Sequence, residues 1–439
     1  MSSKCAVDAR RSVWVTLAGA AATGLILASI GGAQAADPGQ FDRSFNATLA
    51  SKGGLGGPQP VGYAVQVQSN RKIVVAGSFT EAGGKGANNL ARFKASGAPD
   101  KAFNKRIRRN GGLDYYVSSV AVQRDGKIVA AGDFTHAGGM KVNRIARFKA
   151  SGAPDKAFNK RIRRNGGLNA SAMSVVVQTD GKIVVTGGFT KACGKMASGL
   201  ARFKAGGAPD KAFNKHIRRN GGTDVGANSV AVQRDGKIVV GGDFGRAGGR
   251  RVNSLARFKA GGAPDKAFNK HIRHNGGVLD EVDAVATGSD GKVVVTGWFT
   301  KAGGKAVNGI VRFGPHGAPD KAFNKHIRRN GGLESDVFVA DVRSVAIQRT
   351  GKIVVAGYFT TAGGIAANGI ARFGPHGAGD KSFNMNIRDN GGITGDGSEG
   401  DSVGGYSLAV QRSGKIVVVG MFSTAGGRSA PNLSRLFGG

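Results

Sequence analysis

Six segments of this chain gather cationic side chains at a fixed place in a recurring pattern. "GAPDKAFNKRIRRNGGL", Gly97–Leu113, returns almost unchanged as Gly152–Leu168, and weaker copies begin at Gly207, Gly262, Gly317 and Gly377. The bursts within them are Lys105–Asn110, Lys160–Asn165, Lys215–Asn220, Lys270–Asn275, Lys325–Asn330 and Met385–Asn390. They hold 4, 4, 3, 2, 3 and 1 lysines and arginines, with His216, His271, His274 and His326 as substitutes. Guanidinium and ammonium groups in such number suit the phosphate, sulfate or carboxylate groups of an acidic polymer. The candidate polyanion ligands are therefore Lys105, Arg106, Arg108, Arg109, Lys160, Arg161, Arg163, Arg164, Lys215, Arg218, Arg219, Arg273, Lys325, Arg328 and Arg329. An Ile sits before an Arg in every burst, which predicts that Ile packs inward while the cationic heads reach solvent.

Other chemistries find less support. No nucleophile elbow and no zinc-ligand spacing occurs, and most histidines lie in repeated contexts, whereas a catalytic site should break the repeat. The Asp-Gly pairs at Asp125, Asp180, Asp235 and Asp290 read as hairpin turns, because Thr350 and Ser413 replace Asp in two copies and would not serve a metal. "GDGSEGD", Gly395–Asp401, offers Asp396, Glu399 and Asp401 as oxygen ligands for calcium, without the ordered ligand spacing of a calcium loop. Cys193 replaces a Gly of the repeat and reads as a tolerated substitution. No cofactor is expected.

The chain has 439 residues and a formal net charge of +35. Lys4, Arg10 and Arg11, the apolar run Val13–Ile30 and the triplet Ala33-Gln34-Ala35 have the form of an export signal, with residues 1–35 removed. A twin-arginine signal and an uncleaved anchor are the alternatives. Removal takes away Lys4, Arg10, Arg11 and Asp8 and leaves a net charge of +33. Solubility of a small domain needs a magnitude of only about 2–8. No later apolar segment is long enough to span a bilayer.

The bursts are positioned by a repeat. The pattern around "VAVQRDGKIVAAGDF" has its Gln at Gln68, Gln123, Gln178, Gln233, Gln348 and Gln411, with Gly288 in the remaining copy. Successive copies lie 55, 55, 55, 55, 60 and 63 residues apart. "GxxDxxFN" and an "ARF" triplet or a close variant also occur seven times. Each unit is read as four short strands, in the second copy Ser119–Gln123, Lys127–Phe134, Arg144–Phe148 and a fourth around Asp155–Ile162. No sustained helical period appears outside the signal. Gly132 is expected to admit a neighbouring sheet.

Four-stranded units in sevenfold repetition imply an all-β, seven-bladed β-propeller with antiparallel strands, formed by residues 36–439. The first unit begins with only a fourth strand, Gly39–Asn46, and the last ends with only a third, Asn432–Phe437. The N-terminal strand is thus expected to complete the last blade and close the ring. The recurring Asp and the "ARF" Arg occur in equal number and are expected to pair, the Arg fork taking the carboxylate bidentately.

These markers are similar to the bacterial delta-60 repeat family, which pairs a "VxxQxDGKIxVxGxF" hairpin with "RxxxxGxxDxxF". Here they read "VAVQRDGKIVVGGDF", Val230–Phe244, and "RFKAGGAPDKAF", Arg257–Phe268. The resemblance covers nearly all of residues 36–439 and implies a secreted or surface propeller. It implies no activity, and the "KRIRRNGG" insert departs from the family pattern.

Three functions are consistent with these features. A binding or scaffold protein, periplasmic, surface-attached or extracellular and acting as a monomer, would hold acidic polysaccharide, a phosphate-bearing surface or DNA. Few aromatics interleave with the charge, which favours polysaccharide over nucleic acid. A protein-interaction platform would use the loops Leu113–Ser118 and Leu333–Arg343, with Tyr115, Tyr116, Val337 and Phe338 as anchors. A lyase or hydrolase would need a site assembled in the channel from several blades. The bland alternative is a solvated, duplicated outer edge whose charge prevents aggregation.

Overall fold

Alternating Val and small residues on either side of a tight turn form a hairpin, and every copy of the repeat forms one. The chain's computed structural model describes residues 37–224, 226–336, 339–395 and 403–439. The expected export signal and the calcium candidates Asp396, Glu399 and Asp401 lie outside these residues, as do Val337 and Phe338. In blade two, Ser119–Val122 pairs antiparallel with Ile128–Ala131, whose other edge pairs with Ile145–Phe148. The same inner–middle–outer order recurs in blades with inner strands Val61–Val67, Ala172–Val177, Ala227–Val232, Val278–Thr287, Asp341–Ile347 and Gly404–Val410. The Asp-Gly turn is a three-residue loop, Arg124–Gly126, rather than a two-residue one. Gln123 N–H donates to the Lys127 carbonyl at 2.8 Å, and Gly126 takes φ 78°, the solution in which a left-handed residue follows a type I turn.

Consecutive inner strands lie side by side, and the inner strand of blade one meets that of blade seven, so seven blades close into a ring. The seam is hydrogen-bonded. The Ser119 hydroxyl accepts from Val175 N–H of the next blade, Ser174 from Val230, Ser229 from Val285, Ser344 from Leu408 and Ser407 from Val65. Blade faces bury Val, Ile, Ala and Phe against one another. Gly132 meets its own blade's lead-in, where a Cβ would lie 2.4 Å from the Tyr116 carbonyl oxygen, and not a neighbouring sheet.

The expected fourth strand is a helix. After the outer strand a single bridge forms, Phe148 with Pro154, and the chain then turns into Lys156–Arg164. Seven such helices stand on the outer edges of the blades among the described residues: α1 Arg43–Ala50, α2 Lys101–Arg109, α3 Lys156–Arg164, α4 Lys211–Asn220, α5 Lys266–His274, α6 Lys321–Arg329 and α7 Lys381–Asp389. The closing segment is likewise a bridge, Phe41 with Leu436, followed by α1 on blade seven. Phe158 and Ile162 are four apart, a spacing that shares one face in a strand and in a helix. Local capping decides for helix. Asp155 Oδ1 accepts from Phe158 N–H, and Asn165 Nδ2 donates to the Arg161 carbonyl before Gly166 and Gly167 turn left-handed.

Candidate functional site

The cationic helices are held by a cassette in which each invariant residue has a task. Asp155 Oδ2 takes Arg147 Nε at 3.0 Å and Nη2 at 2.9 Å, while Oδ1 caps the helix. The Arg–Asp pairing is therefore present within each blade, but the fork converges on one carboxylate oxygen instead of spanning two. The guanidinium lies 4.3 Å above the Phe158 ring, and Asn159 bonds both the N–H and the carbonyl of Arg147. Arg147 Nη1 then reaches the Ala205 carbonyl of the following blade. This inter-blade bond occurs in all seven blades, and Arg435 to Ala95 closes it from blade seven to blade one. At that junction burial would raise the Asp42 pKa, but Lys415, Arg435 and the Phe45 N–H outweigh it and hold the carboxyl down at about 2.

Anchored this way, Phe158 and Ile162 are buried and the polar face of α3 turns outward. Every predicted polyanion ligand is exposed on this outer rim: Lys105, Arg106, Arg108 and Arg109 on α2, Lys160, Arg161, Arg163 and Arg164 on α3, Lys215, Arg218 and Arg219 on α4, Arg273 on α5, and Lys325, Arg328 and Arg329 on α6. Cations in the last turn also suit the negative end of the helix dipole. A further outward lysine opens each helix from α2 to α7, at Lys101, Lys156, Lys211, Lys266, Lys321 and Lys381. It lies one turn before the burst, on the same face, and a helical reading of the sequence would have included it.

The helices join into a belt. Arg161 Nη1 donates to the Gly206 carbonyl at 3.0 Å, in the turn that leads to the next helix. His216, His271 and His326 make the same contact through Nδ1 to Gly261, His316 and His376 at 2.7–2.8 Å. A carbonyl only accepts, so Nδ1 carries the proton in each. Asn386 substitutes on α7, donating to the Pro38 carbonyl. The joining turns carry exposed Lys149, Lys204 and Lys259 early in the ring, then His316 and His376. Charge thus declines around the rim, and α7 and α1, which hold Asp389 and no burst respectively, form a charge-poor sector.

The two channel mouths differ from the rim and from each other. At the turn end Arg71 of blade one is exposed, and the residue after four of the six Gln is an exposed arginine, Arg124, Arg234, Arg349 and Arg412. The sequence signal for these four was the "QR" step of the hairpin. At the opposite mouth the repeat is broken at the fifth residue before each Gln or, in blade five, before Gly288, which reads Tyr63, Ser118, Met173, Asn228, Asp283, Arg343 and Tyr406 in turn. Tyr63 lies edge-on to Tyr116 and stacks on Tyr406, each at 5.9 Å, and Arg343 lies 4.0 Å over Tyr406. Arg343 Nε donates to Asp341 at 2.7 Å. Burial, then the Asp341 and Glu281 carboxylates, push the Asp283 carboxyl up to about 8. Tyr115 is 57% exposed, whereas Tyr116 is half-buried and bonds Asp133. Burial pushes the Cys193 thiol up to about 11, which keeps it protonated. Among the described residues, no group of three His, Cys, Asp or Glu is placed to hold a metal, and no helix is long and apolar enough to cross a membrane.

A family described as a domain of unknown function (DUF5122) beta-propeller matches residues 68–103, 123–158, 178–213, 233–268, 288–323, 348–383 and 411–437. Among curated proteins none matches the sequence. Of solved structures, the WD40 beta-propeller domain of Doa1 is similar at 13% identity and TM-score 0.44, over 87% of this chain and 94% of that one. YCF48 from Cyanidioschyzon merolae is similar at 13% identity and TM-score 0.45, over 87% and 98%. The extracellular domain of a putative hybrid two-component system from B. thetaiotaomicron is similar at 11% identity and TM-score 0.45. There 87% of this chain matches, and it spans 39% of that one.

Proposed function

This chain belongs to the DUF5122 beta-propeller family, and we propose that it is an exported, non-enzymatic receptor for an acidic polymer held along the outer rim. The observation that supports this most is the belt. The capped helices aim the cations of α2 to α6 away from the core, and from α3 to α6 an inter-blade hydrogen bond ties each helix to the next turn. A linear polyanion laid along blades one to three would meet arginines and lysines continuously, and its affinity would fall toward α7 and α1. Wrapping the rim requires a flexible chain with charge on every unit, such as an acidic polysaccharide. The rim offers few aromatic faces for bases, which weighs against single-stranded nucleic acid.

The test is binding of the purified protein to alginate and to DNA across a salt series. Saturable alginate binding that weakens steeply with salt supports the reading, since each neutralised charge releases counterions. No binding to either polymer at low salt would make the belt a solubility feature. A second reading, a protein-interaction platform, draws on the tyrosines at the channel mouth, and binding insensitive to salt would favour it.

A further inference from the structure

Blade five alone lacks the Gln that the other six blades carry. In blades one, two, three, four and six the conserved Gln accepts from the "ARF" arginine, as Gln233 does from Arg257 Nη1 at 3.1 Å. Gln68 and Gln233 also donate across the seam to the carbonyls of Gly126 and Gly291. Blade five has Gly288 there. Arg312 Nη1 keeps only the Pro375 carbonyl, while its Nε and Nη2 remain on Asp320. A cleft of about 660 Å³ opens between blades five and six and reaches Arg234 of blade four, against about 370 Å³ for each of two clefts lined by blades that keep their Gln.

The cleft is cationic over an apolar floor. Arg234, Lys292, Arg312 and Arg349 line it, with His376 at its edge. Val294, Ile347 and Ile353 form the floor. The negative groups facing these cations are Asp290, in the lining, and Asp320, behind Arg312 and Lys292. The Asp290 carboxylate occupies the space of the absent side chain: a Cβ at Gly288 would lie 2.4 Å from its Oδ1. Lys292 accordingly turns to Asp320 at 3.0 Å and stands 3.9 Å from Asp290, whereas Lys127, Lys182 and Lys237 hold their turn aspartates directly.

We propose that this cleft binds a phosphomonoester, its phosphate among Arg234, Lys292 and Arg349 and its organic body on the apolar floor. Four cations against two carboxylates, Asp290 in the lining and Asp320 behind it, leave an excess of positive charge that favours a multiply charged anion. The volume suits a small organic ligand and far exceeds a bare phosphate ion. The proposal is separable from the belt, because no rim helix lines the cleft and the belt reaches it through one joining turn, at Pro375 and His376.

The test compares phenyl phosphate, inorganic phosphate and phenol by calorimetric titration of the full chain and of Gly288→Gln. This substitution restores the repeat, and the neighbour it displaces is the tip of the Asp290 side chain, so the protein should keep its melting temperature. Wild type is expected to bind phenyl phosphate saturably, at least about tenfold more tightly than phosphate. Gly288→Gln and Arg349→Ala should each weaken binding by about tenfold or more, while Arg163→Ala on the rim should not change it. No saturable binding by wild type, unchanged binding by Gly288→Gln, equal affinity for phosphate alone, or loss on the rim substitution would each overturn the proposal.

Discussion

At the scale of single residues, the fold rests on a buried ion pair used three ways. Asp155 caps α3, neutralises Arg147 and so lets that arginine cross to the next blade. Asn caps a helix as well as Asp does, so Asp155→Asn isolates the charge. It leaves a guanidinium buried without its partner and should cost about 3 kcal/mol. Denaturant unfolding would show it, and an unchanged midpoint would contradict the role given to the pair. Asp283 behaves oppositely. Its ordinary value is 3.8, and burial with two neighbouring carboxylates raises it to about 8 in the folded state. Between those values the folded chain holds a proton that the unfolded chain has lost, so stability falls as pH rises through that window. Asp283→Asn should raise the melting temperature at pH 8 and leave it unchanged near pH 4, within about a degree. An equal effect at both pH values would show that the shape of the side chain, and not its charge, matters there.

At the scale of elements, the outer helix is the feature that organises the rim. Phe158 sits between Arg147 and the core and is 1% exposed. Phe158→Ala should cost about 3–5 kcal/mol and, by freeing α3, speed hydrogen exchange across Lys156–Arg164 before the inner strands exchange. The inner, middle and outer strands were legible in the sequence because Val and Ile alternate around fixed turns. The helix was not, because its two apolar anchors fit a period of 2 and of 3.6 alike, and nine residues carry no further turn to separate them. The separating signals were local: Asp before the apolar pair and Asn-Gly-Gly after the last arginine. The rim cations were legible as a group, while the opening lysines were hidden by reading the burst as a strand, and the mouth arginines lie apart from the burst, in the "QR" step of the hairpin. The mixed mouth of tyrosine, aspartate and arginine appears only when the fifth residue before each Gln is compared around the ring.

At the scale of the whole molecule, seven near-identical blades carry three unlike surfaces. The rim is cationic and graded, one mouth is ringed by arginines, and the other gathers tyrosines and carboxyls. Closure makes the rim continuous, since Arg435 and α1 hand blade seven back to blade one. Net charge alone would attract a polyanion to any face, whereas a belt attracts it to the rim. The most direct measurement is therefore alginate affinity at moderate salt for two variants of equal charge. One replaces Arg108, Arg109, Arg163, Arg164 and Arg218 on the rim by Ala. The other replaces Arg71, Arg124, Arg234, Arg349 and Arg412 at the turn end of the channel. The belt predicts that the rim variant loses affinity by about tenfold or more and shows a shallower salt slope, while the channel variant stays close to wild type. Equal losses in the two variants would contradict it.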